Sequence, residues 1–324
     1  MLIYIVRRLL YSVVVLIAAS FIIFSFVSLS NDPLAFLKMQ PNASEQTIEN
    51  ITKRKHLDQS IPVQYVYWAK DAITNQFGTT TIGNRPILPD LTRVMGHTLQ
   101  LVIAAEILAI LVAVIIGVYS ALRQYSMFDY TATTFSFVGL ATPVFWLALM
   151  LQVLFVNIYL WFDVRIFYTA SLSGVDPGSG LHFVLDRAQH LGLPIIVLMA
   201  ASVATYSRYM RASMLEVVNS DYVRTARAKG VSERGVTMRH AFRNALIPLV
   251  TIVALNFGGL LGGVVVTETV FALDGMGLYF VTQLQLGDPY PVMAWLMVTA
   301  TLVIVFNLIA DIAYGFLDPR VRYD

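Results

Sequence analysis

The sequence predicts an all-α integral membrane protein, because it is strongly apolar, its apolar residues form long uncharged runs, and its basic residues cluster between those runs. Hydrophobic residues make up 57% of the 324 positions and charged residues 13%, whereas an ordinary soluble domain has roughly 25% charged residues. This composition excludes a soluble protein built around one core. The mean hydropathy of +0.68 indicates that lipid is the solvent.

Six runs are long enough for a spanning helix, which needs about 20 mostly apolar residues. We expect spans at 9–29, 97–122, 131–160, 191–207, 246–266 and 292–310. The first run is too long for the core of a secretory signal and no small-residue cleavage site follows it, so we expect it to be retained. The fourth run is short and carries Pro194 near its start, so the sequence does not fix where its helix begins.

The basic residues set the expected orientation. Basic residues that flank spans usually stay in the cytoplasm, so Arg7 and Arg8 place the N-terminus inside, and an even number of spans returns the C-terminus there. Most other basic residues fall in the predicted inside segments, above all 208–245, and the outside segment 267–291 has none. The first outside segment, 31–96, carries several, but long loops follow this rule only weakly.

We expect two parts in the chain. Residues 1–96 contain the first transmembrane helix and an extracytoplasmic segment, and residues 97–324 form a five-helix core with a cytoplasmic loop near 208–245.

A short helix is predicted inside the external segment. Asn42 and Glu45 have the spacing of a capping box, and Ile48 and Ile51 follow at helical spacing. We therefore predict a helix near 43–55. A turn-rich stretch follows it, through Gly78, Gly83 and Pro86.

The most informative stretch is the basic segment 220–248, SDYVRTARAKGVSERGVTMRHAFRNALIP. Asp221 can cap a short helix, Gly230 can end it in the left-handed conformation, and Ser232 can cap the next helix. The first helix would be about 12 Å long, which suits a projection that docks into a groove of a partner. The residues alone leave a second reading equally open, a basic loop that fixes topology and touches anionic lipid headgroups.

The helix predicted after Asp221 has two neighbouring sides. By helical spacing, Tyr222 and Lys229 share one side with Ala226, and Val223 and Arg227 share the next with Gly230. The residues of this candidate site are Asp221, Tyr222, Val223, Arg224, Ala226, Arg227, Lys229, Gly230, Val231 and Ser232.

This segment resembles the cytoplasmic signature loop of binding-protein-dependent ABC permeases, in the version of the dipeptide/oligopeptide branch, with TARAKG followed by FRNALIP. It departs from the general signature at 224–226, where Glu-Ala-Ala is usual, and Gly230 lies farther than usual from Pro248. Both departures resemble the peptide branch. Further similar stretches run along nearly the whole chain: MLIYIVRRLL, LDQSIPVQYVYW, FGTTTIGNRPI, ATPVFWLALML and FLDPRVR.

The resemblance implies a permease of the type I ABC importer kind, of the first permease subunit type, in the bacterial cytoplasmic (inner) membrane. It implies three kinds of partner besides lipid: a homologous second permease subunit, two ATPase subunits or one fused ATPase, and an extracytoplasmic solute-binding protein. Short peptides are the implied solute, and nickel complexes or glutathione are the alternatives. Transport would follow alternating access.

The residues predict no catalytic or cofactor site on this chain. A phosphate-binding P-loop needs Gly-Lys followed by Ser or Thr, and none of the five lysines follows a glycine. ATP and magnesium would therefore be bound by partner ATPase subunits. The chain has no cysteine, its five histidines lack close ligand spacing, and a net charge of +2 does not indicate a nucleic-acid partner.

Glu106 is the main ionisable residue expected inside the membrane, and it could face a pathway or bond a neighbouring helix. A stand-alone secondary carrier usually needs several such carboxylates or histidines, which disfavours that alternative. An intramembrane hydrolase would need paired aspartates or a serine with a positioned base, and the sequence offers neither within the membrane.

Overall fold

The computed structural model describes residues 2–30, 32–38, 44–74, 77–81, 83–176 and 178–317. This part of the chain is helical apart from turns and one isolated β-bridge between Thr79 and Pro86, which confirms the all-α prediction. The α-helices are α1 (Leu2–Ser30), α2 (Ala35–Lys38), α3 (Glu45–Arg54), α4 (Ile61–Thr74), α5 (Ile87–Leu122), α6 (Met127–Ala141), α7 (Val144–Phe162), α8 (Leu181–Val218), α9 (Asp221–Ala228), α10 (Glu233–Gly235), α11 (Arg243–Val270), α12 (Met276–Gln285) and α13 (Pro289–Leu317). A π-helix, Val236–Phe242, joins α10 to α11.

Five of the described helices are long and apolar enough to cross a bilayer: α1, α5, α7, α8 and α13. The predicted fifth span, 246–266, lies inside α11, and the count of six spans stays a prediction. Only 6% of the apolar stretch of α7 is buried inside the chain. Its apolar side chains therefore face the surroundings, as expected for a helix in contact with lipid.

The third predicted span, 131–160, is wrong as a single helix. The structure divides it into α6 and α7, because Pro143 lies at the N-cap of α7. Thr142 has φ −81° and ψ 120°, the extended backbone that a residue before proline prefers. The break leaves α6 with 15 residues, shorter than a full span.

The fourth predicted span, 191–207, lies inside a longer helix. Its helix, α8, has 38 residues, a length of about 57 Å at 1.5 Å per residue. Pro194 lies inside α8 and is buried. Proline is tolerated within transmembrane helices because neighbouring groups satisfy the backbone that it frees, so Pro194 does not mark a boundary.

Contacts divide the chain into two compact units. Unit 1 comprises residues 1–98 and 274–305, and unit 2 comprises residues 99–273 and 306–324. The predicted division after residue 96 stays a prediction.

Unit 1 packs α1 against α4 through aromatic side chains. The ring centroids of Phe21 and Phe24 lie 5.1 and 5.7 Å from that of Tyr65 on α4, in edge-to-face geometry. The Tyr65 hydroxyl lies 2.8 Å from the Ser20 hydroxyl. The contact buries one end of α1 on the α4 face that carries Tyr65 and Trp68.

The predicted external helix is confirmed as α3, with a different cap. Ser44 is the N-cap, and its hydroxyl accepts a hydrogen bond from the Thr47 amide at 3.2 Å. Asn42 lies outside the described residues. Ile51 is buried and Ile48 packs beside it, as the helical spacing predicts.

Unit 2 is built around α8, which packs against α6, α7 and α11. One cluster around α8 includes Leu193, Val197 and Phe271, and another includes Tyr206 and Met210. The approach of α5 to α8 is very close at Gly117, where a Cβ atom would lie 2.7 Å from the backbone oxygen of Ser207. Any residue larger than glycine at this position would therefore require one of the two helices to shift.

Candidate functional site

The basic segment 220–248 folds as a short helix, a tight turn and a second helical stretch, as predicted. The first helix, α9, has eight residues, which gives the expected length of about 12 Å. The prediction that Asp221 caps it is wrong, because Ser220 occupies the N-cap position and Asp221 is the first helical residue. There the carboxylate still complements the positive end of the helix dipole.

The turn after α9 is a Schellman motif centred on Gly230. The Gly230 amide donates to the Arg227 carbonyl at 2.9 Å, and the Val231 amide donates to the Ala226 carbonyl at 3.2 Å. Gly230 has φ +79°, which confirms the predicted left-handed conformation. A Cβ atom at Gly230 would meet nothing within 4 Å, so backbone conformation and not space restricts this position to glycine.

The second predicted cap, Ser232, is also confirmed. Its hydroxyl accepts a hydrogen bond from the Gly235 amide at 3.3 Å at the start of α10. From Glu233 the chain stays helical through the π-helix into α11. The sequence analysis missed the π-helix, and a single sequence offers no evident signal for it.

Burial fixes which side of α9 faces the protein. Val223 and Ala226 are buried against Val236 of the π-helix, and Val217 at the end of α8 packs beside them. The other eight residues of the candidate site are exposed: Asp221, Tyr222, Arg224, Arg227, Lys229, Gly230, Val231 and Ser232. The two buried residues therefore anchor α9, and the eight exposed ones are available to a partner.

Two hydrogen bonds between side chains hold the exposed side of α9. The Asn244 amide donates a hydrogen bond of 2.9 Å to the Tyr222 hydroxyl. The Arg227 guanidinium donates a hydrogen bond of 3.0 Å to the Glu233 carboxylate across the turn. Tyr222 remains 44% exposed and Met238 of the π-helix 53% exposed. Apolar and basic groups therefore share this surface, a composition suited to a protein partner.

A buried ion pair joins α6 and α8 within unit 2. The Asp129 carboxylate accepts two hydrogen bonds from Arg211, at 2.6 and 2.8 Å, and further ones from the Tyr125 amide and the Ser120 hydroxyl. Arg211 holds the pKa of Asp129 well below its usual range. The sequence analysis missed this pair, although Ser126 and Asp129 have the spacing of a helix cap that the structure contains.

Glu106 lies inside unit 2 and bonds a neighbouring helix. The Tyr206 hydroxyl on α8 donates a hydrogen bond of 2.6 Å to the Glu106 carboxylate on α5, and both side chains are buried. Asn256 on α11 interacts with the same hydroxyl. This geometry matches the interhelical reading of Glu106, and a pathway role stays a prediction.

Unit 1 contains a buried carboxylate that the sequence analysis did not single out. Asp288 accepts hydrogen bonds from the Thr81 amide at 2.6 Å, the Thr81 hydroxyl at 3.0 Å and the Tyr290 amide at 3.2 Å. Burial raises the pKa of Asp288 despite these bonds. Nearby, the Lys55 ammonium donates to the Thr79 carbonyl and lies 4.2 Å from the Tyr290 ring centroid. These contacts hold Thr81 and Lys55 against the start of α13.

The described part of the chain has no cluster of three or more metal-ligating side chains.

Comparison with known proteins finds relatives that match the chain over nearly its whole length. Residues 113–323 match the family described as "Binding-protein-dependent transport system inner membrane component", and residues 1–90 match its N-terminal region family. The oligopeptide transport system permease protein AppB of Bacillus subtilis (strain 168) is 38% identical, with 99% of each chain covered. The dipeptide transport system permease protein DppB of Alkalihalophilus pseudofirmus is 37% identical, with 100% of each chain covered. A solved amino acid ABC transporter with histidines aligns at 15% identity and a TM-score of 0.47, covering 72% of this chain and 94% of that one.

These matches confirm the family resemblance. The chain belongs to the family of inner membrane components of binding-protein-dependent transport systems.

Proposed function

We propose that this chain is a permease subunit of an ATP-driven importer for short peptides. The observation that carries the proposal is similarity over essentially the full length to relatives named as oligopeptide and dipeptide permeases. The chain would form half of the translocation pathway, with a homologous permease as the other half. Two ATPase subunits, or one fused ATPase, would supply the energy, and an extracytoplasmic binding protein would deliver the peptide.

In this proposal, α9 is the element that contacts the ATPase. It is short, its buried residues anchor it to the π-helix, and Tyr222, Arg224 and Lys229 are exposed on it. An aromatic ring beside basic groups is a composition enriched in protein interfaces. The continuous helical path from Glu233 through the π-helix into α11 supports a mechanical role, because only the hydrogen-bonded Gly230 turn separates α9 from this path.

The proposed orientation places the N- and C-termini and α9 in the cytoplasm. The eight Lys and Arg residues between 208 and 245 support this side for α9, since short basic segments are retained inside. The predicted outside segment 267–291 contains no Lys or Arg. In this orientation α9 faces the compartment that holds ATP.

Uptake by the purified complex tests the proposal. The permease pair, its ATPase and its binding protein are reconstituted in liposomes, and accumulation of a labelled short peptide is measured with and without ATP. We expect ATP-dependent accumulation that needs the binding protein. Transport of nickel complexes without competition by peptides would contradict the peptide assignment, and uptake without the ATPase would contradict the permease assignment.

A further inference from the structure

A groove in unit 2 lies beside α6 and α8, next to the Asp129–Arg211 ion pair. Its volume is about 480 Å³, and its lining includes Thr133, Leu140, Thr205, Arg208, Tyr209 and Arg211. We call it the arginine groove. Polar groups of α8 and the apolar Leu140 of α6 share its wall.

The arginine groove lies where the uncharged part of α8 ends. Residues 191–207 carry no Asp, Glu, Lys or Arg, and Arg208 and Arg211 follow directly. A helix of 17 residues is about 25 Å long, close to the roughly 30 Å of the hydrocarbon core. The two arginines therefore lie at the membrane–water boundary, at the end of α8 that leads to α9.

Arg208 is the available charge in this groove. Its guanidinium lies 4.5 Å from the ring centroid of Phe137, and within the described ranges no residue forms a hydrogen bond or ion pair with it. Arg211 differs, because Asp129 accepts hydrogen bonds from two of its nitrogens. In the groove, Arg211 is therefore paired with a carboxylate, whereas the N–H groups of Arg208 are available to a ligand.

The rest of the lining fits a ligand with an anionic head and an apolar tail. Tyr209 is 47% exposed, and among the residues that the structure describes its hydroxyl has no hydrogen-bond partner. On α6, Phe137 and Leu140 are exposed apolar residues, as are Phe135 and Val138 nearby. A guanidinium and a hydroxyl at the interface, above exposed apolar side chains, are the groups that bind a lipid phosphate and its acyl chain.

We propose that Arg208 and Tyr209 bind the phosphate of an anionic phospholipid, with an acyl chain of that lipid along α6 beside Leu140. A solute carboxylate is the competing anion, but the exposed apolar face of α6 favours a ligand that brings its own hydrocarbon. The site requires only that unit 2 lies in a membrane. The lipid site can therefore be disproved while the proposed transport function holds, and the transport function can be disproved while the lipid site holds.

Lipid binding to the purified, delipidated complex tests this site. The complex is titrated with phosphatidylglycerol or with phosphatidylcholine, and bound lipid is counted by native mass spectrometry. We expect wild type to retain phosphatidylglycerol in preference to phosphatidylcholine. Arg208→Gln should lower the affinity for phosphatidylglycerol about fivefold, which corresponds to roughly 1 kcal/mol per basic residue at an anionic surface. Tyr209→Phe should lower it less.

Arg123→Gln is the matched control. The Arg123 guanidinium also lies over an aromatic ring, 5.4 Å from the Tyr119 centroid, but Arg123 does not line the groove. It should bind phosphatidylglycerol as wild type does. Arg208→Lys keeps the charge but lacks the planar guanidinium, so it should lose an intermediate amount of phosphatidylglycerol affinity. This variant also tests the site if the Arg208→Gln complex does not assemble.

Three results would overturn the site. They are unchanged phosphatidylglycerol binding in the Arg208 variants, an equal loss in Arg123→Gln, and displacement of the lipid by short peptides.

Discussion

Asn244, at the start of α11, hydrogen-bonds the hydroxyl of Tyr222, on the exposed side of α9, at 2.9 Å. Beneath this bond, Val223 and Ala226 pack against Val236 of the π-helix. Side-chain packing therefore connects α9 to the π-helix that leads into α11, and the hydrogen bond connects α9 to α11 itself. In the proposed importer, a displacement of α9 by the ATPase would be passed to α11 through both.

The Tyr222–Asn244 bond should contribute to coupling by a modest amount. Tyr222→Phe removes only the hydroxyl, and a bond of this kind is worth about 1 kcal/mol. We expect partial loss of the ATPase stimulation caused by loaded binding protein, measured on the reconstituted complex. Tyr222→Ala should lose more, because the ring is also removed, and Lys229→Ala should act mildly in the same direction.

A double-mutant cycle separates this bond from the two residues' other contacts. Asn244→Ala should lower stimulation about as much as Tyr222→Phe, and the double variant should be little worse than either. Fully additive losses would show that the two side chains act independently.

The Gly230 turn should be required for coupling. Its φ of +79° strains a β-branched residue by about 1–3 kcal/mol, so Gly230→Val should distort the presentation of α9. We expect the permease pair to insert and assemble, uptake to be lost, and ATPase activity to stop responding to loaded binding protein. Uptake and ATPase assays on the same preparation check this.

Gly287→Val is the matched control for Gly230→Val. Gly287 has φ +67°, and a Cβ atom there also meets nothing within 4 Å, but it follows α12, far along the chain from α9. It should carry similar backbone strain and retain stimulated ATPase activity. A well-expressed Gly230→Val variant with full uptake would mean that the segment serves topology alone.

The Asp129–Arg211 pair should stabilise unit 2. Asp129→Asn removes the negative charge that pairs with the partly exposed Arg211. This change should lower the free energy of unfolding by up to about 3 kcal/mol. We expect a lower thermal unfolding midpoint in detergent at neutral pH. Asp32→Asn is the control, because the Asp32–Lys38 ion pair is about half exposed on both sides and such pairs contribute little.

The same pair predicts a pH dependence. The pKa of Asp129 is lowered from its ordinary value of 3.8, chiefly by the hydrogen bond from Arg211. Its contribution to stability is therefore fully present above pH 3.8 and is lost as pH falls through the lower folded-state value. The difference in midpoint between wild type and Asp129→Asn should stay constant from neutral to mildly acidic pH. A difference that shrinks within that range would contradict this assignment.

Local sequence signals predicted the turn at Gly230 and the cap at Ser232. The Gly230 turn and the Ser232 cap depend on residues within a few positions of each other, and both were confirmed. The Asp129–Arg211 pair could not be predicted in the same way, because its members are 82 positions apart and meet only when α6 packs on α8. The side of α9 that is buried likewise depends on Val236, beyond the turn.

Two prolines affect the predicted spans differently. Pro143 divides the third predicted span into α6 and α7, whereas Pro194 lies inside α8 and does not interrupt it. The residue type is the same, and what differs is the packing around it. Pro194 is buried beside Leu193 and Val197 in the core of unit 2, and this packing keeps the helix continuous despite one missing amide. A single sequence does not contain that packing.

The orientation can be tested by single cysteines, since the chain has none of its own. A cysteine at Ser44 should react with an impermeant maleimide in intact cells. One at Ser232 should react only after permeabilisation, because positive residues keep its segment inside. Both positions are exposed, so reactivity reports sidedness and not burial. The opposite pattern would reverse the topology.

Contact between α9 and an ATPase is the central claim, and site-specific cross-linking measures it directly. Arg224 lies on α9 with 70% of its side chain exposed, and Arg224→Cys can carry a short photoreactive maleimide. Ser44→Cys, on the side of the membrane that we predict to be external, is the control. In the assembled complex we predict a covalent adduct between the permease and the ATPase from position 224 and none from position 44. An assembled, active complex that gives no ATPase adduct from position 224, or an equal adduct from position 44, would contradict the account.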